Sequence, residues 1–195
     1  KCAVGGFGVL RPRPGLRARR SAMMARMSFT PGARMLKSLG TIAIVVFLLV
    51  PVAVLIAGQL SMLSGTRPAD LGHRNGLLKA PVASSWNVVM SQAAHYPHTE
   101  YHVIAPLRFS GDSKPAMARL AAVVAAMPGA RIVESRPDYL YAEFQTRWLK
   151  FVDDVEFLPD QSRQVIEMRS ASRLGRKDFG VNRKRLEQVR ARFGS

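Results

Sequence analysis

The segment Phe151-Val152-Asp153-Asp154-Val155-Glu156-Phe157 alternates as a strand does. Phe151, Asp153, Val155 and Phe157 then share one face, and Asp154 and Glu156 take the other. Asp153 is thus a carboxylate among apolar neighbours. Such a group finds a partner or has its pKa raised. Two readings follow. Asp153 is an acid/base or ligand-anchoring carboxylate of a hydrolase or isomerase, assisted by Ser170, Ser172 and Arg173, or it is an ion-paired structural acid at the rim of a sheet. A symmetric turn at Pro159-Asp160-Gln161-Ser162 pairs Phe157 with Ile166 and Val155 with Met168. It makes Asp154–Arg169 a cross-strand salt bridge and sets Asp153 opposite Ser170.

The run Arg169-Ser170-Ala171-Ser172-Arg173-Leu174-Gly175 leaves that hairpin and continues through Asp178 to Asn182. Asn182 is expected to cap a final helix with the apolar face Leu186, Val189 and Phe193. Arg183, Lys184 and Arg185 fall in its first turn, where cations oppose the helix dipole. An anion relieves that opposition: Asp178 itself, or a bound phosphate, carboxylate or lipid headgroup. The candidate binding residues are therefore Arg169, Ser170, Ser172, Arg173, Asp178, Asn182 and Arg185. The alternatives are a solvated basic helix with screened charges and a basic patch facing a membrane. His95, His98 and His102 raise a metal reading, but Pro97 interrupts them and no nearby acid completes a known spacing, so no metal site is expected. Neither a Gly-rich phosphate loop nor a nucleophile elbow nor a zinc-protease motif occurs, and no cofactor is expected.

The elements that must position these residues begin with a greasy run. No charged side chain lies between Lys37 and Arg67, and residues 39–60 are almost wholly apolar. At helical rise this makes a rod of roughly 33 Å, enough to cross a bilayer and contact its lipids. The run is longer than a usual signal-peptide core, which favours retention as an anchor. Ile56-Ala57-Gly58-Gln59 resembles a lipoprotein cleavage box, but Gln59 stands where the lipidated cysteine must be. Residues 1–37 hold nine Lys/Arg and no acid and read as a disordered leader, with Met23, Met24, Met27 and Met35 as possible starts. The positive-inside rule puts that leader in the cytoplasm and the rest of the chain across the membrane. The expected setting is a bacterial inner membrane crossed once, with a periplasmic C-terminal domain; the alternative is an organelle membrane reached by a transit peptide.

Residues 61–80 read as a tether and 81–195 as a folded domain. Tyr101, Val103, Ala105 and Leu107 alternate as a strand. Ser113-Lys114-Pro115 opens a helix with Leu120, Val123, Val124 and Met127 on its apolar face, and Pro128-Gly129 stops it. Hairpins follow over Arg131–Ser135 with Tyr139–Gln145, and over Phe151–Leu158 with Val165–Ser172. The order β-α-β-β-β-β-α predicts an α+β fold: one N-terminal transmembrane helix, then an antiparallel sheet with its helices on one face.

Net charge is +16, but the excess sits at the two ends: residues 61–168 are balanced, and residues 169–195 hold nine bases against Asp178 and Glu187. A spanning helix accounts for the first basic block, and no zinc spacing, RNP-type motif or helix-turn-helix is present, so no nucleic-acid partner is expected. The single cysteine, Cys2, excludes a disulfide within the chain.

Phe151–Phe157, followed by Ile166–Gly175 and by Asp178-Phe179-Gly180-Val181-Asn182-Arg183-Lys184-Arg185, resembles the domain of unknown function 1499 family. Asn87, Ser91-Gln92, His102 and Pro106-Leu107 match that family's earlier segments, so the resemblance covers about residues 68–193. It implies an α+β domain, usually exported, lipidated or membrane-tethered, in bacteria and plastid-bearing eukaryotes, with no established activity. The family usually carries two cysteines around its Pro-Asn segment, where Val82 and Val88 stand here. Any thiol-dependent function or disulfide at that place is therefore missing from this chain. The leading expectation is a non-enzymatic, membrane-anchored envelope domain that binds an anionic ligand, a lipid headgroup or a partner protein. The hydrolase or isomerase built on Asp153 is one alternative, and an accessory subunit of a membrane complex is another.

Overall fold

The structure, a computed structural model, describes residues 31–194. Most of the basic leader and Cys2 lie outside the described residues. The chain divides into two units, one ending at Val46 and one from Phe47 onward.

Helix α1, Pro31–Gln59, is long and apolar enough to cross a membrane, as an anchor or a signal sequence. None of its apolar window is buried against the rest of the protein. Pro51 removes one amide and frees the carbonyl of Phe47, yet the helix continues. Transmembrane helices tolerate this where neighbouring groups satisfy the carbonyl.

The folded head is α+β. Its strands are β1 (His73–Arg74), β2 (Leu77–Leu78), β3 (Val88–Met90), β4 (Leu107–Arg108), β5 (Ala130–Arg136), β6 (Tyr139–Gln145), β7 (Val152–Asp160) and β8 (Val165–Ser172). β1 and β2 form a small hairpin across Asn75-Gly76, both at positive φ, as a type I′ turn requires. The main sheet is antiparallel in the order β3-β8-β7-β6-β5, and β4 joins the same edge of β8 beyond β3. A bulge interrupts the β5–β6 ladder at Val133.

Helix α2, Ser113–Ala125, starts at Asp112, whose carboxylate accepts from the Lys114 amide at 3.1 Å. Helix α3 is Val181–Phe193. Both pack on one face of the sheet, around Leu120, Val124, Leu186 and Val189 against Leu140, Val155, Phe157 and Met168. The opposite face carries a smaller cluster of Leu78, Met90, Tyr139, Tyr141 and Leu158.

Three expectations shift. Residues 101–107 are not one strand: Glu100–His102 is a 3-10 turn, Val103 makes a single bridge to Met90, and Leu107–Arg108 alone forms a strand. The buried residues there are His102, Ile104 and Leu107, because the His102 ring is pinned between the Thr99 amide (2.9 Å) and the Ser85 carbonyl (2.8 Å). The β7–β8 turn lies two residues later than the symmetric turn proposed. Asp160 accepts from the Ser162 hydroxyl and the Arg163 amide, an Asx-type turn that leaves Pro159 paired with Ile166 inside the ladder. Asp153 therefore faces Ser172, and Arg169 faces Glu156 rather than Asp154. A slip of two keeps every side chain on its expected face. Finally, residues 67–80 are not a free connector: Arg67 bonds Glu143, Gly72 N donates to Glu156 Oε1, and Leu78 N donates to Gln92 Oε1.

Candidate functional site

Strand parity divides the candidate residues between the two faces of the sheet. Asp153, Ser170 and Ser172 point toward α3, whereas Asp154, Glu156, Arg169 and Arg173 point away from it.

On the helix side the polar groups form a closed network. Arg185 Nη2 donates to Asp153 Oδ2 at 2.6 Å, and both residues are buried. Arg185 Nη1 donates to Asn182 Oδ1 at 2.8 Å and to Ser170 Oγ at 3.1 Å, and its guanidinium lies 4.8 Å from the Phe144 ring centroid. The Ser170 hydroxyl donates to Asn182 Oδ1 at 2.5 Å. Asn182 Nδ2 in turn donates to the Asn87 carbonyl and to Ser172 Oγ, at 2.9 and 3.0 Å. Asn182 is not the cap of α3. That place falls to Gly180, at φ 82, and Asn182 lies inside the first turn with its side chain fully buried. The cap acceptor is Asp178, which takes the Gly180 and Asn182 amides at 3.0 and 2.9 Å and the Tyr101 hydroxyl. Burial pushes Asp178 up, but these donors outweigh it and hold its carboxyl below the usual range. Burial and the same contact push Tyr101 up to about 12. The helix dipole thus meets an internal carboxylate, the first of the anions expected there.

This geometry gives Asp153 nothing to act on. It lines none of the main concavities among the described residues, and its partner is a buried guanidinium. Ser170 donates to an amide oxygen, not to a base. A nucleophile needs a base as its hydrogen-bond partner and a place for substrate beside it; among the described residues Ser170 bonds Asn182 and Arg185 instead, and neither it nor Asp153 lines one of these concavities.

The opposite face is built differently. Arg173 sits between two acids: its Nη2 donates to Asp154 Oδ1 at 2.7 Å and to Glu143 Oε1 at 2.6 Å, and to the Tyr141 hydroxyl at 3.0 Å. Glu143 also takes Arg67, at 2.6 Å, and Arg131. Burial alone would raise Glu143; its three guanidinium partners bring it down to about 2. Burial would lower Arg173, but Asp154, Glu143 and Tyr141 push it above the ordinary arginine value. Arg169 Nη1 donates to Glu156 at 2.9 Å, and Glu156 also accepts from the Tyr139 hydroxyl at 2.8 Å. Burial, then the nearby carboxylates, push Tyr139 and Tyr141 well above the usual phenol value.

Beside this network opens a cleft of about 380 Å³. Lys79, Arg169, Arg173 and Arg176 line it with Asp154 and Ser172, and so do Val82 and Val88, the places of the family's cysteine pair. Arg169 is nearly enclosed, and its Nε is a buried donor without a hydrogen-bond partner. Of the residues proposed from sequence, the structure brings Arg169 and Arg173 to this cleft; Ser172 also borders it, but its hydroxyl belongs to the closed network through Asn182. The structure places Ser170, Asn182 and Arg185 in the closed network and Asp178 at the cap.

Sequence reasoning missed Glu143, Tyr139, Tyr141, Lys79 and Arg176. Tyr139, Tyr141 and Glu143 alternate along β6, so their common face was readable. Lys79 and Arg176 arrive on loops and carry no such signal. Among the described residues no three His, Cys, Asp or Glu side chains gather as a metal site. His102 is a buried structural ring.

No curated protein and no solved structure gives a significant match to the chain. A family model described as a protein of unknown function, DUF1499, does match, over residues 80–193. That span takes in the closed network, most of the open-face network and cleft (Arg67 and Lys79 precede it) and more than half of the sequence, and the chain belongs to the DUF1499 family.

Proposed function

We propose that this protein is a membrane-anchored, non-catalytic domain that binds a small anionic ligand in the cleft beside Arg169 and Arg173. Two observations support the reading: Lys79, Arg169, Arg173 and Arg176 line the cleft with Asp154, Arg176 having no acid partner among the described residues while Lys79, Arg169 and Arg173 pair with Asp70, Glu156 and Glu143/Asp154, and the Arg169 Nε is a buried donor without a hydrogen-bond partner. Buried donors in proteins are almost always paired, and a ligand oxygen is the partner that this place lacks. The ligand class is a phosphate- or carboxylate-bearing small molecule, since guanidinium groups match those oxygens in geometry as well as charge. In this reading α1 is retained in the bilayer, the basic leader stays in the cytoplasm, and the head lies on the other side.

Isothermal titration of the detergent-solubilised full chain with inorganic phosphate, citrate and glycerophosphate tests the cleft. Saturable binding that Arg176→Ala and Lys79→Ala weaken at least tenfold supports it, and no heat from any of the three overturns it. A reporter fused to the C-terminus tests the placement, and activity on the cytoplasmic side overturns it.

The accessory-subunit reading draws on Phe179, which is 95% exposed and held at φ 54, where non-glycine residues are uncommon. Blue-native electrophoresis of solubilised membranes tests it: a large species lost in Phe179→Ala supports a subunit, and monomer mass in the parent removes the reading.

A further inference from the structure

The last turn of α1 touches the connection between β6 and β7. Gln59 Nε2 donates to the carbonyl of Trp148 at 2.6 Å. One residue earlier, Gly58 lets the loop backbone in: a Cβ at that position would stand 2.8 Å from Leu149 Cα. The apolar span ends at Gln59, so this contact fixes the loop within a few ångström of the level where the hydrocarbon would end.

The connection is Thr146-Arg147-Trp148-Leu149-Lys150-Phe151. Its composition suits that level. Trp148 is 62% exposed, and the Arg147 guanidinium lies 5.0 Å from its ring centroid. Lys150 turns the chain at φ 57. Neither Arg147 nor Lys150 has a carboxylate within ion-pair distance among the described residues. Lys184 and Arg131 join them along an open groove of about 960 Å³ on the same side of the head. Tryptophan settles at the membrane–water boundary, and long basic side chains beside it reach the lipid phosphates.

We propose that Thr146–Lys150 is an interfacial anchor. It lies in the headgroup layer of the bilayer that α1 crosses, with Trp148 at the acyl boundary and Arg147 and Lys150 on anionic lipid phosphates. The head is thus held against its own membrane at a second point. The inference rests on α1 being a retained span, but not on any ligand in the cleft.

The test reconstitutes the full chain in vesicles of phosphatidylcholine and phosphatidylglycerol. Trp148 emission is read as the difference between the parent and Trp148→Phe, an exposed substitution that leaves the fold intact. Phosphatidylcholine brominated just below the headgroup should remove more than about half of that emission, and lipid brominated near the chain ends should remove little. A Phe47→Trp probe in the Trp148→Phe background reports on α1 alone and should be quenched by the deep lipid. If Phe47→Trp is quenched and Trp148 emits as in water, the loop proposal fails while the span stands. If Phe47→Trp escapes the deep lipid, the span fails and the loop proposal falls with it. A blue-shifted Trp148 that no bromolipid quenches places a protein against the loop and also overturns the proposal.

Discussion

The two faces of one sheet bury ions in opposite ways. Toward α3, a single pair, Asp153–Arg185, is sealed by Asn182, Ser170 and an aromatic ring. Away from α3, several carboxylates and guanidinium groups share partners, and the network reaches solvent through a cleft. The strands are the same, and only parity separates Ser170 from Arg169 or Asp153 from Asp154. The comparison shows that burying a charge does not make a site. A closed pair has spent its hydrogen-bonding capacity on the fold, while an arginine that lines a cleft and keeps an unpaired donor has not.

Arg185→Ala should break the comparison most severely. It strands the Asp153 carboxylate under α3, and loss of one partner of a buried pair costs about 3–5 kcal/mol. Thermal unfolding of the solubilised chain should show a large fall in Tm, and a change of under a few degrees would mean that Asp153 has another partner.

Glu143→Gln comes next, on the open face, at about 2 kcal/mol near neutral pH, because two of the three cations it holds are themselves well exposed. The sign follows from its depressed folded-state pKa. The ionised carboxylate contributes its stability above its ordinary value of 4.5, and that contribution is lost as pH falls toward about 2. Denaturant unfolding between pH 6 and 3, a window set by that shift, should show parent and Glu143→Gln converging on acidification. Parallel curves would sink the assignment.

A smaller loss, about 1–2 kcal/mol, is expected for Ser170→Ala, which removes two hydrogen bonds from the sealed face, one given to Asn182 and one accepted from Arg185. It should leave anion binding unchanged, and a weakened titration would join the two faces into one site. Arg176→Ala should move stability least, within about 0.5 kcal/mol, because its side chain is exposed. It nonetheless should weaken anion binding at least tenfold, which separates the cleft's chemistry from the fold.

Much of the head was legible in the sequence. The charge-free run marked α1, the apolar spacing of Leu120, Val124 and Met127 marked α2, and Tyr139–Gln145 was read to the residue. The β7–β8 register slipped by two because Pro159 looked like a turn residue. The carboxylate of Asp160 instead organises the turn after it, so the proline stays at the end of a strand. Asn75-Gly76 was a hairpin signal, but strands of two residues leave no periodicity around it.

The candidate site was half legible. Parity along β8 already separates Arg169 and Arg173 from Ser170 and Ser172. The sequence could not say that Arg185 would reach Asp153, because that contact depends on where α3 lands. The partners of Glu143 were hidden for the same reason: Arg67 comes from a segment with no pattern of its own, laid across the sheet by backbone bonds such as Gly72 to Glu156.

The outer strand β5 has a consequence for life on a surface. Chains fixed in a bilayer meet one another far more often than chains in free solution, and an open sheet edge invites lateral zipping. β5 presents Arg131, Glu134 and Arg136 along that edge and is kinked at Val133 by its bulge. If α1 anchors the chain as proposed, neighbouring heads that collide edge to edge meet charged side chains and a broken ladder, which disfavours lateral zipping in the membrane plane.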